Sequence, residues 1–217
     1  MNERNYQKEM EKILSIVSEK GERPSLLLHA CCAPCASACL MRLMEACKVT
    51  VFYFNPNITD HEEYEKRAAE VQKLIRLMNE EYRSDLSYMA GAFSPELFFE
   101  TAKGLEDVPE GGERCFACYG LRLRETVMRA LDGDFSYFAT TLTLSPLKNA
   151  AKINEIAEGI LSGIRADDPD TKLSYLPSDF KKKDGYRLSV ELSEKYGLYR
   201  QNYCGCEFSK RHDLVMR

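Results

Sequence analysis

Apolar and polar residues are arranged along the chain in short strand-like runs that alternate with longer stretches of helical spacing. Apolar or β-branched runs typical of buried strands lie at 25–30, 48–55, 86–90 and 135–141. Apolar residues recur at helical spacing over 36–47, 60–82, 94–104, 115–131, 145–163 and 186–196, and residues 1–20 resemble a surface helix. Strands that alternate with helices predict an α/β fold with a Rossmann-like parallel sheet.

The length of the chain bounds its organisation, because 217 residues suit one domain. We expect an N-terminal helix in 1–23, an α/β core over 24–163 and a partly irregular, helical C-terminal region over 164–217. The first 20 residues lack the apolar core of a signal peptide, and no run approaches the roughly 18 apolar residues of a membrane span. We therefore expect a cytoplasmic protein with no membrane partner.

The overall charge is close to neutral, but its distribution is uneven. The chain carries 30 basic and 34 acidic side chains, a net charge of −4. Residues 181–217 contain nine basic and five acidic side chains, so this tail carries +4 and the preceding 180 residues carry −8. A polyanion such as RNA is expected to bind mainly at the tail.

The tail also mixes cations with aromatic rings, a combination that suits RNA. Cations hold phosphates while rings stack on unpaired bases. A solvated surface is the alternative interpretation. The cations are Lys181, Lys182, Lys183, Arg187 and Arg200, and the rings are Tyr186, Tyr199 and Tyr203.

Nine cysteines are the strongest chemical signal in the sequence. In a reducing compartment, clustered cysteines bind metal or carry out redox chemistry more often than they form structural disulfides. Cys39, on a predicted helix, and the isolated Cys47 are expected to be small buried side chains. The other seven are candidate metal ligands: Cys31, Cys32, Cys35, Cys115, Cys118, Cys204 and Cys206.

The seven candidate ligands fall in three motifs of different geometry. CCAPC follows the first predicted strand, where sites form in an open parallel sheet. CFAC places two thiols one turn apart at a predicted helix start, where the helix dipole favours thiolates. CGC needs the tight backbone that Gly205 permits. One zinc ion or one iron–sulfur cluster takes four thiols, so seven indicate two neighbouring centres.

Longer motifs extend well beyond the cysteines. They are LLLHACCAPC at 26–35, RCFACYGLRL at 114–123, TTLTLSPLKN at 140–149, SDFKKKDGY at 178–186 and LYRQNYCGCEFS at 198–209. In this order, and over most of the chain, they resemble the QueH-type epoxyqueuosine reductases, a cobalamin-independent family. The resemblance implies a fold related to nucleotide α-hydrolases and PP-loop enzymes. The CCAPC turn stands in the place of the PP-loop, whose glycine–serine phosphate cradle is absent.

The resemblance also implies a function and its cofactors. QueH-type proteins reduce epoxyqueuosine to queuosine at the wobble position of tRNA, the last step of queuosine biosynthesis. They use a [4Fe–4S] cluster next to a mononuclear iron or other divalent metal. Carried over by motif, six of the seven cysteines are the ligands and Cys35 is a further candidate. An electron donor is required but not identified by the sequence; ferredoxin and flavodoxin types are the candidates.

We expect the two centres to divide the thiols. Adjacent residues at a strand end point to opposite sides. On that ground Cys31 is assigned to the lone metal together with Cys35. The cluster is assigned Cys32, Cys115 and Cys118, and the pair Cys204 and Cys206 is split between the two centres.

Proton donors and a phosphate-binding turn complete the predicted site. His29, Tyr119 and Tyr203 are candidate proton donors. Alternatively, His29 orients the cysteine turn from the core and the tyrosines only pack. A strand-to-helix turn is predicted to bind a phosphate or the modified base, and is otherwise a helix cap. Its residues are Thr140, Thr141, Thr143, Ser145, Lys148 and Asn149.

Two other functions remain open. A zinc-stabilised RNA-binding module without redox activity would use CxxC and CxC as a structural site. Iron–sulfur absorption would distinguish a reductase from this colourless module. A tRNA-thiolating PP-loop enzyme would need an ATP-binding glycine–serine loop, which the sequence does not contain.

Overall fold

Five parallel strands form the centre of the computed structural model, which describes residues 4–210. The strands are β1 (Ser25–His29), β2 (Lys48–Tyr53), β3 (Ser87–Ala90), β4 (Tyr137–Thr140) and β5 (Ser174–Tyr175). Their order across the sheet is β3-β2-β1-β4-β5, and each neighbouring pair is parallel. The predicted parallel α/β class is confirmed.

Helices lie between and around the strands. They are α1 (Tyr6–Glu19), α2 (Ala33–Leu43), α3 (His61–Tyr82), α4 (Pro95–Ala102), α5 (Glu113–Asp132), α6 (Ala150–Asp167) and α7 (Gly185–Lys195). None of the helices within residues 4–210 combines the length and apolar character that a membrane span needs.

Alternation along the strands buries both faces of the sheet. Leu26 and Leu28 of β1 belong to the core on one face, with side chains from α2 and α3. Leu27 points to the other face, where it packs with Phe52 and Phe138 and with α5 and α6. This two-sided burial is typical of parallel sheets. With both faces covered, the carboxyl ends of the strands remain open, and polar groups collect there.

The helices α2 and α6 begin at other residues than predicted. Both follow neighbouring strands of the sheet, β1 and β4. Cys32 is the extended N-cap of α2 and Pro34 lies in its first turn, so α2 starts at Ala33 instead of residue 36. After β4 the chain first makes a 3-10 turn at Thr141–Leu144, and α6 begins only at Ala150. Periodicity does not reveal such capping, which depends on local backbone geometry.

The C-terminal region returns to the sheet. β5 pairs with β4 at the edge, and a strand of two residues is too short for any period to predict. Asn154 of α6 holds the segment that follows: its Nδ2 donates to the Ser178 carbonyl at 2.9 Å, and its Oδ1 accepts from the Ser178 N–H at 3.0 Å. α7 then packs on α2, which brings the chain back beside the CCAPC turn.

Candidate metal centre

The strand order reverses direction between β1 and β4, and the cysteine turn lies at that reversal. In an open parallel sheet, the crevice beyond the carboxyl ends of two such strands is the usual ligand site. Cys31 follows β1 there, and its N–H donates to Oγ1 of Thr141, which follows β4, at 3.4 Å. The Cys31 sulfur lies 3.7 Å from the same hydroxyl. The turn is thereby fixed to both strand ends.

Cys31, Cys32 and Cys35 form one group of thiols, whose sulfur atoms all lie within 4.8 Å of one another. The sulfurs of Cys31 and Cys32 are 3.8 Å apart. The expectation that these two thiols point to opposite sides is therefore wrong. Side-chain alternation holds only within a strand, whereas β1 ends at His29 and the chain has already turned toward α2.

Hydrogen bonds within this group make Cys31 the first thiol to ionise. The thiols of Cys32 and Cys35 hydrogen-bond to the Cys31 sulfur, which lowers the pKa of Cys31 well below its usual value. The same interaction with Cys31 raises the pKa of Cys32 to about 12. The cations of Lys148 and Arg122 also favour the Cys31 thiolate.

The other four candidate thiols, Cys115, Cys118, Cys204 and Cys206, are called the second group, since the charge of Cys204 raises the pKa of the other three. Cys115 and Cys118 lie one turn apart in the first turns of α5, and Cys118 packs in one apolar cluster with Cys206. Burial raises the pKa of Cys118 to about 12, and the charges of Cys204 and Cys206 add to the rise. Burial likewise raises the pKa of Cys115, while the Gly111 N–H, 3.3 Å from its sulfur, opposes that rise.

The CGC hinge is held from α3 and the β2–α3 loop. Gly205 has φ of +114°, which L side chains rarely adopt, and a Cβ there would lie 2.8 Å from Ile58 Cγ1. Arg67 Nη1 donates to the Cys204 carbonyl at 3.1 Å, and Asn57 Nδ2 approaches the same oxygen at 3.5 Å. Arg67 is itself ion-paired with Glu63 at 2.7 Å. The hinge is thus a fitted element with a defined backbone.

Two cations border the thiols, Arg122, which is buried, and Lys148, which is half-buried. Arg122 is 1% exposed, and the thiols that favour its charge are Cys118, Cys31 and Cys204. The charges of Cys204 and Cys31 likewise favour the protonated, positively charged form of Lys148. Seven free thiols beside these cations suit thiolate-ligated metal, since the thiolate is the metal-binding form. The donor set therefore fits a cysteine-ligated iron–sulfur or zinc centre.

A cavity of about 520 Å³ lies beside the first group of thiols and reaches Cys204 of the second. Cys31, Cys32 and Cys35 of the first group and Cys204 of the second line it, together with the cations Arg67, Arg122, Lys148 and Arg200. Its volume falls in the range of small-molecule sites, roughly 300 to 1,000 Å³. The remaining lining side chains that bear on function are Glu110, Ser145, Leu147, Tyr186, Gln201 and Tyr203.

Comparison with known proteins decides what this arrangement belongs to. The model of the family described as epoxyqueuosine reductase QueH matches residues 26–212, which include all three cysteine motifs. The chain belongs to the QueH family.

Relatives in that family match along most of their own lengths. Epoxyqueuosine reductase QueH of Streptococcus pyogenes serotype M1 is 38% identical over 95% of this chain and 78% of the relative. The protein of the same name from Staphylococcus epidermidis is 39% identical over 94% and 84%, and that of Thermotoga maritima is 32% identical over 85% and 90%. A solved NMN synthetase from Francisella tularensis covers 96% of this chain and 91% of that chain at 9% identity. Its TM-score of 0.36 is too low to support any inference.

His29 of this QueH-family chain is held as a neutral side chain in the core. Burial lowers its pKa to about 3. Nδ1 lies 2.9 Å from Thr140 Oγ1, and Nε2 lies 3.1 Å from the Phe54 carbonyl. A carbonyl only accepts, so Nε2 carries the proton and Nδ1 accepts from the Thr140 hydroxyl. These contacts fit the alternative in which His29 orients the cysteine turn.

The two tyrosines predicted as proton donors occupy different places. Tyr119 is 3% exposed, and burial raises its pKa above the usual value. Tyr203 lines the cavity, with the Arg67 guanidinium 5.1 Å and the Lys210 ammonium 5.2 Å from its ring centroid. Only Tyr203 of this pair is among the cavity-lining residues of the described chain.

Some residues of the predicted phosphate-binding turn make structural hydrogen bonds, and others line the cavity. Thr140 Oγ1 accepts from the Leu142 N–H at 3.2 Å, and Thr143 hydrogen-bonds Ser178 at 3.0 Å. Asn149 is the N-cap of α6 and accepts from the Lys152 N–H at 3.0 Å. Ser145 and Lys148 line the cavity. The helix-cap alternative therefore describes Asn149, and the binding interpretation retains Ser145 and Lys148.

The predicted cations of the tail also differ in their contacts: one lines the cavity, and others make ion pairs on the surface. Arg200 lines the cavity and donates to the Ser193 hydroxyl at 3.1 Å. Three others make ion pairs: Lys181 with Asp179 at 2.7 Å, Lys183 with Glu11 at 2.6 Å, and Arg187 with Asp184 at 3.2 Å. The Lys182 side chain is exposed. Residues 211–217, which carry part of the predicted tail charge, lie outside the described residues.

Three side chains of the site were missed in the sequence. Arg67 holds the hinge, Arg122 lies between the thiol groups, and Gln201 has a buried Oε1 without a hydrogen-bond partner in the described chain. A signal existed for Arg122, since positions 115, 118 and 122 share one face of a helix. Arg67 carried none, because an arginine in a charged helix looks like a surface residue.

Replacing Gly205 by alanine should deplete the bound metal. The substitution forces a side chain into a strained φ, at a cost of about 1–3 kcal/mol, and into contact with Ile58. Metal content per chain after anaerobic reconstitution measures the effect. Gly163→Ala is the matched control, since a Cβ on that helical glycine meets nothing within 4 Å. Full metal content in the Gly205 variant would show that the hinge geometry is not required.

Proposed function

We propose that this protein reduces epoxyqueuosine in tRNA to queuosine, with a [4Fe–4S] cluster and a neighbouring mononuclear iron. One observation supports this most: thiols from two cysteine motifs of the QueH family, Cys31, Cys32, Cys35 and Cys204, line one cavity together with the buried cations Arg67 and Arg122. A single closed zinc site would use four of the seven candidate thiols. An exposed structural zinc site would also have no need of a cavity lined by thiols.

The grouping of the thiols suggests which residues hold each centre. Four thiols are the number that a [4Fe–4S] cluster takes, which matches the group on α5 and the CGC hinge. The group of Cys31, Cys32 and Cys35 leaves an open position for substrate on a metal that takes four ligands, as catalytic sites require. This assignment replaces the division expected from the sequence.

The reaction itself fixes what the site must provide. Removal of the epoxide oxygen breaks two carbon–oxygen bonds, forms a carbon–carbon double bond and releases water, so it consumes two electrons and two protons. When bound, the metal centre supplies single electrons and a Lewis acid. The electrons come from a donor protein of ferredoxin or flavodoxin type. The protein must position the modified base, exclude other acceptors and deliver protons.

Tyr203 is the best placed of the three candidate proton donors. His29 is neutral and commits its N–H to the Phe54 carbonyl. Tyr119 is buried and holds its proton tightly. Tyr203 lines the cavity, where a general acid within hydrogen-bond reach of the leaving oxygen is needed.

The mouth of the cavity has the chemistry of an RNA loop binder. Tyr186 is 44% exposed and lies 5.9 Å from the Arg200 guanidinium, and Leu147 is 79% exposed beside Lys148. Exposed rings and apolar side chains stack on splayed bases, while cations hold phosphates. The wobble nucleotide lies in a single-stranded loop, so it enters such a cavity at little unpairing cost.

Anaerobic reconstitution with iron and sulfide tests the proposed centre. We expect about four to five irons and about four sulfides per chain, with turnover of epoxyqueuosine tRNA under dithionite. Cys35→Ala should keep the sulfide and lose turnover, because Cys35 belongs to the group with the open position. Cys39→Ala is the control, a buried cysteine outside both groups. Stoichiometric zinc without sulfide in the wild-type protein would favour the zinc module.

Tyr203→Phe should lower turnover by about 100-fold, the lower range for a positioned general acid, without changing the metal content. The substitution keeps the ring and its contacts with Arg67 and Lys210. Tyr199→Phe is the matched control, since that hydroxyl bonds Glu63 at 3.2 Å. Single-turnover rates with pre-reduced protein measure the effect. Equal rates for the two variants would remove Tyr203 from the mechanism.

Neutralising Lys182 and Lys183 to glutamine should weaken tRNA binding and flatten its salt dependence. Each lost phosphate contact should lower the log–log slope by about 0.7 for a single-stranded site. The surface ion pair of Lys183 with Glu11 is weak enough for a phosphate to replace it. Lys48→Gln, at the opposite end of the sheet, is the control. An unchanged slope in the double variant would place the contacts elsewhere.

A further inference from the structure

Arg122 lies where the two groups of thiols meet. It stands one turn beyond Cys118 on the same face of α5 and lines the cavity with Cys31 and Cys32. Its side chain is 1% exposed. No step of the proposed reaction requires a guanidinium at this position, so its burial has another cause.

Neutral groups hold the guanidinium in one place. Nη2 donates to Asn55 Oδ1 at 2.6 Å, and the Asn55 amide is oriented by its own donation to the Ala30 carbonyl at 2.9 Å. Nε lies 3.4 Å from His29 Nε2, which already carries the proton given to Phe54. The position is therefore defined without any negative charge. Asn55 acts as its hydrogen-bonding support.

The expected anionic partner is absent from the rest of the described chain. Within residues 4–210, no carboxylate lies within ion-pair distance of Arg122, and Nη1 has no hydrogen-bond partner. Arg67, buried to a similar degree, has Glu63 at 2.7 Å. A buried cation without an anion is costly. The ionisable groups whose negative form favours the Arg122 charge are the thiols Cys118, Cys31 and Cys204.

We infer that Arg122 is a positioning residue that supplies the buried counter-charge of the thiolate centre and sets its reduction potential. The inference rests on the metal centre of the proposed function. Each electron added to the centre adds negative charge, which a nearby buried cation stabilises strongly where the dielectric is low. Removal of that cation should therefore disfavour the reduced state and make the potential more negative.

The test is a mediator titration of the reconstituted protein without tRNA, with the potential read from absorbance and electron paramagnetic resonance. Arg122→Gln keeps a donor toward Asn55 and removes the charge. We expect at least a tenfold loss in the reduction equilibrium, or about 59 mV per electron. Arg122→Lys keeps the charge and should stay closer to the wild-type value. Arg129→Gln, an exposed cation on the same helix, should leave the potential unchanged.

The outcomes separate this inference from the proposed function. If the reconstituted wild-type protein shows no reversible redox centre, both the proposed function and the role of Arg122 are contradicted. If the wild-type protein shows a reversible reduction potential and Arg122→Gln leaves that potential unchanged or raises it, only the role of Arg122 is overturned. An Arg122→Lys shift as large as that of Arg122→Gln also overturns it, because charge would then not be the cause. If Arg122→Gln does not fold, Arg122→Met carries the same expectation, with iron and sulfide content measured in every variant.

Discussion

β1 is hydrogen-bonded in parallel on both sides, and the location of the functional groups depends on that pairing. The register sets His29 level with Phe52 on one side and with Thr140 on the other. The chain therefore leaves β1, β2 and β4 at the same end of the sheet and at the same level. The thiol turn follows β1 there, and the loop after β2 supplies Asn55 and, beyond it, the residues that hold the hinge. A slip of one residue in β1 would displace them all.

The centre is electrostatically unbalanced without its metal. Arg122 lacks a carboxylate partner within residues 4–210, and the raised pKa values of Cys32 and Cys118 keep those two thiols protonated. Binding of metal deprotonates the remaining thiols, which supplies the negative charge that these cations face. Metal binding and folding free energy should therefore be coupled at this edge, while the rest of the sheet rests on its apolar core.

The sequence predicted the sheet better than it predicted the site. Strands β1, β2 and β4 are apolar runs with clear ends, and the cysteine motifs predicted the candidate ligands as a set. The direction of the Cys31 and Cys32 side chains was wrong, because it depends on where the strand stops. The role of Lys183 as a partner of Glu11 depends on a contact that no local pattern encodes. The burial of Arg122 was equally hidden, since only the packed fold brings Asn55 to it.

The CGC hinge follows every strand of the sheet in the chain, and this order has a consequence for synthesis. Cys115 and Cys118 emerge from the ribosome well before Cys204 and Cys206, and all five strands are complete before the hinge appears. N-terminal parts of a chain fold first during synthesis. A centre that uses the hinge thiols is therefore completed on a sheet that already exists. Metal loading of such a centre would then come last in maturation, after Cys204 and Cys206 have been synthesised.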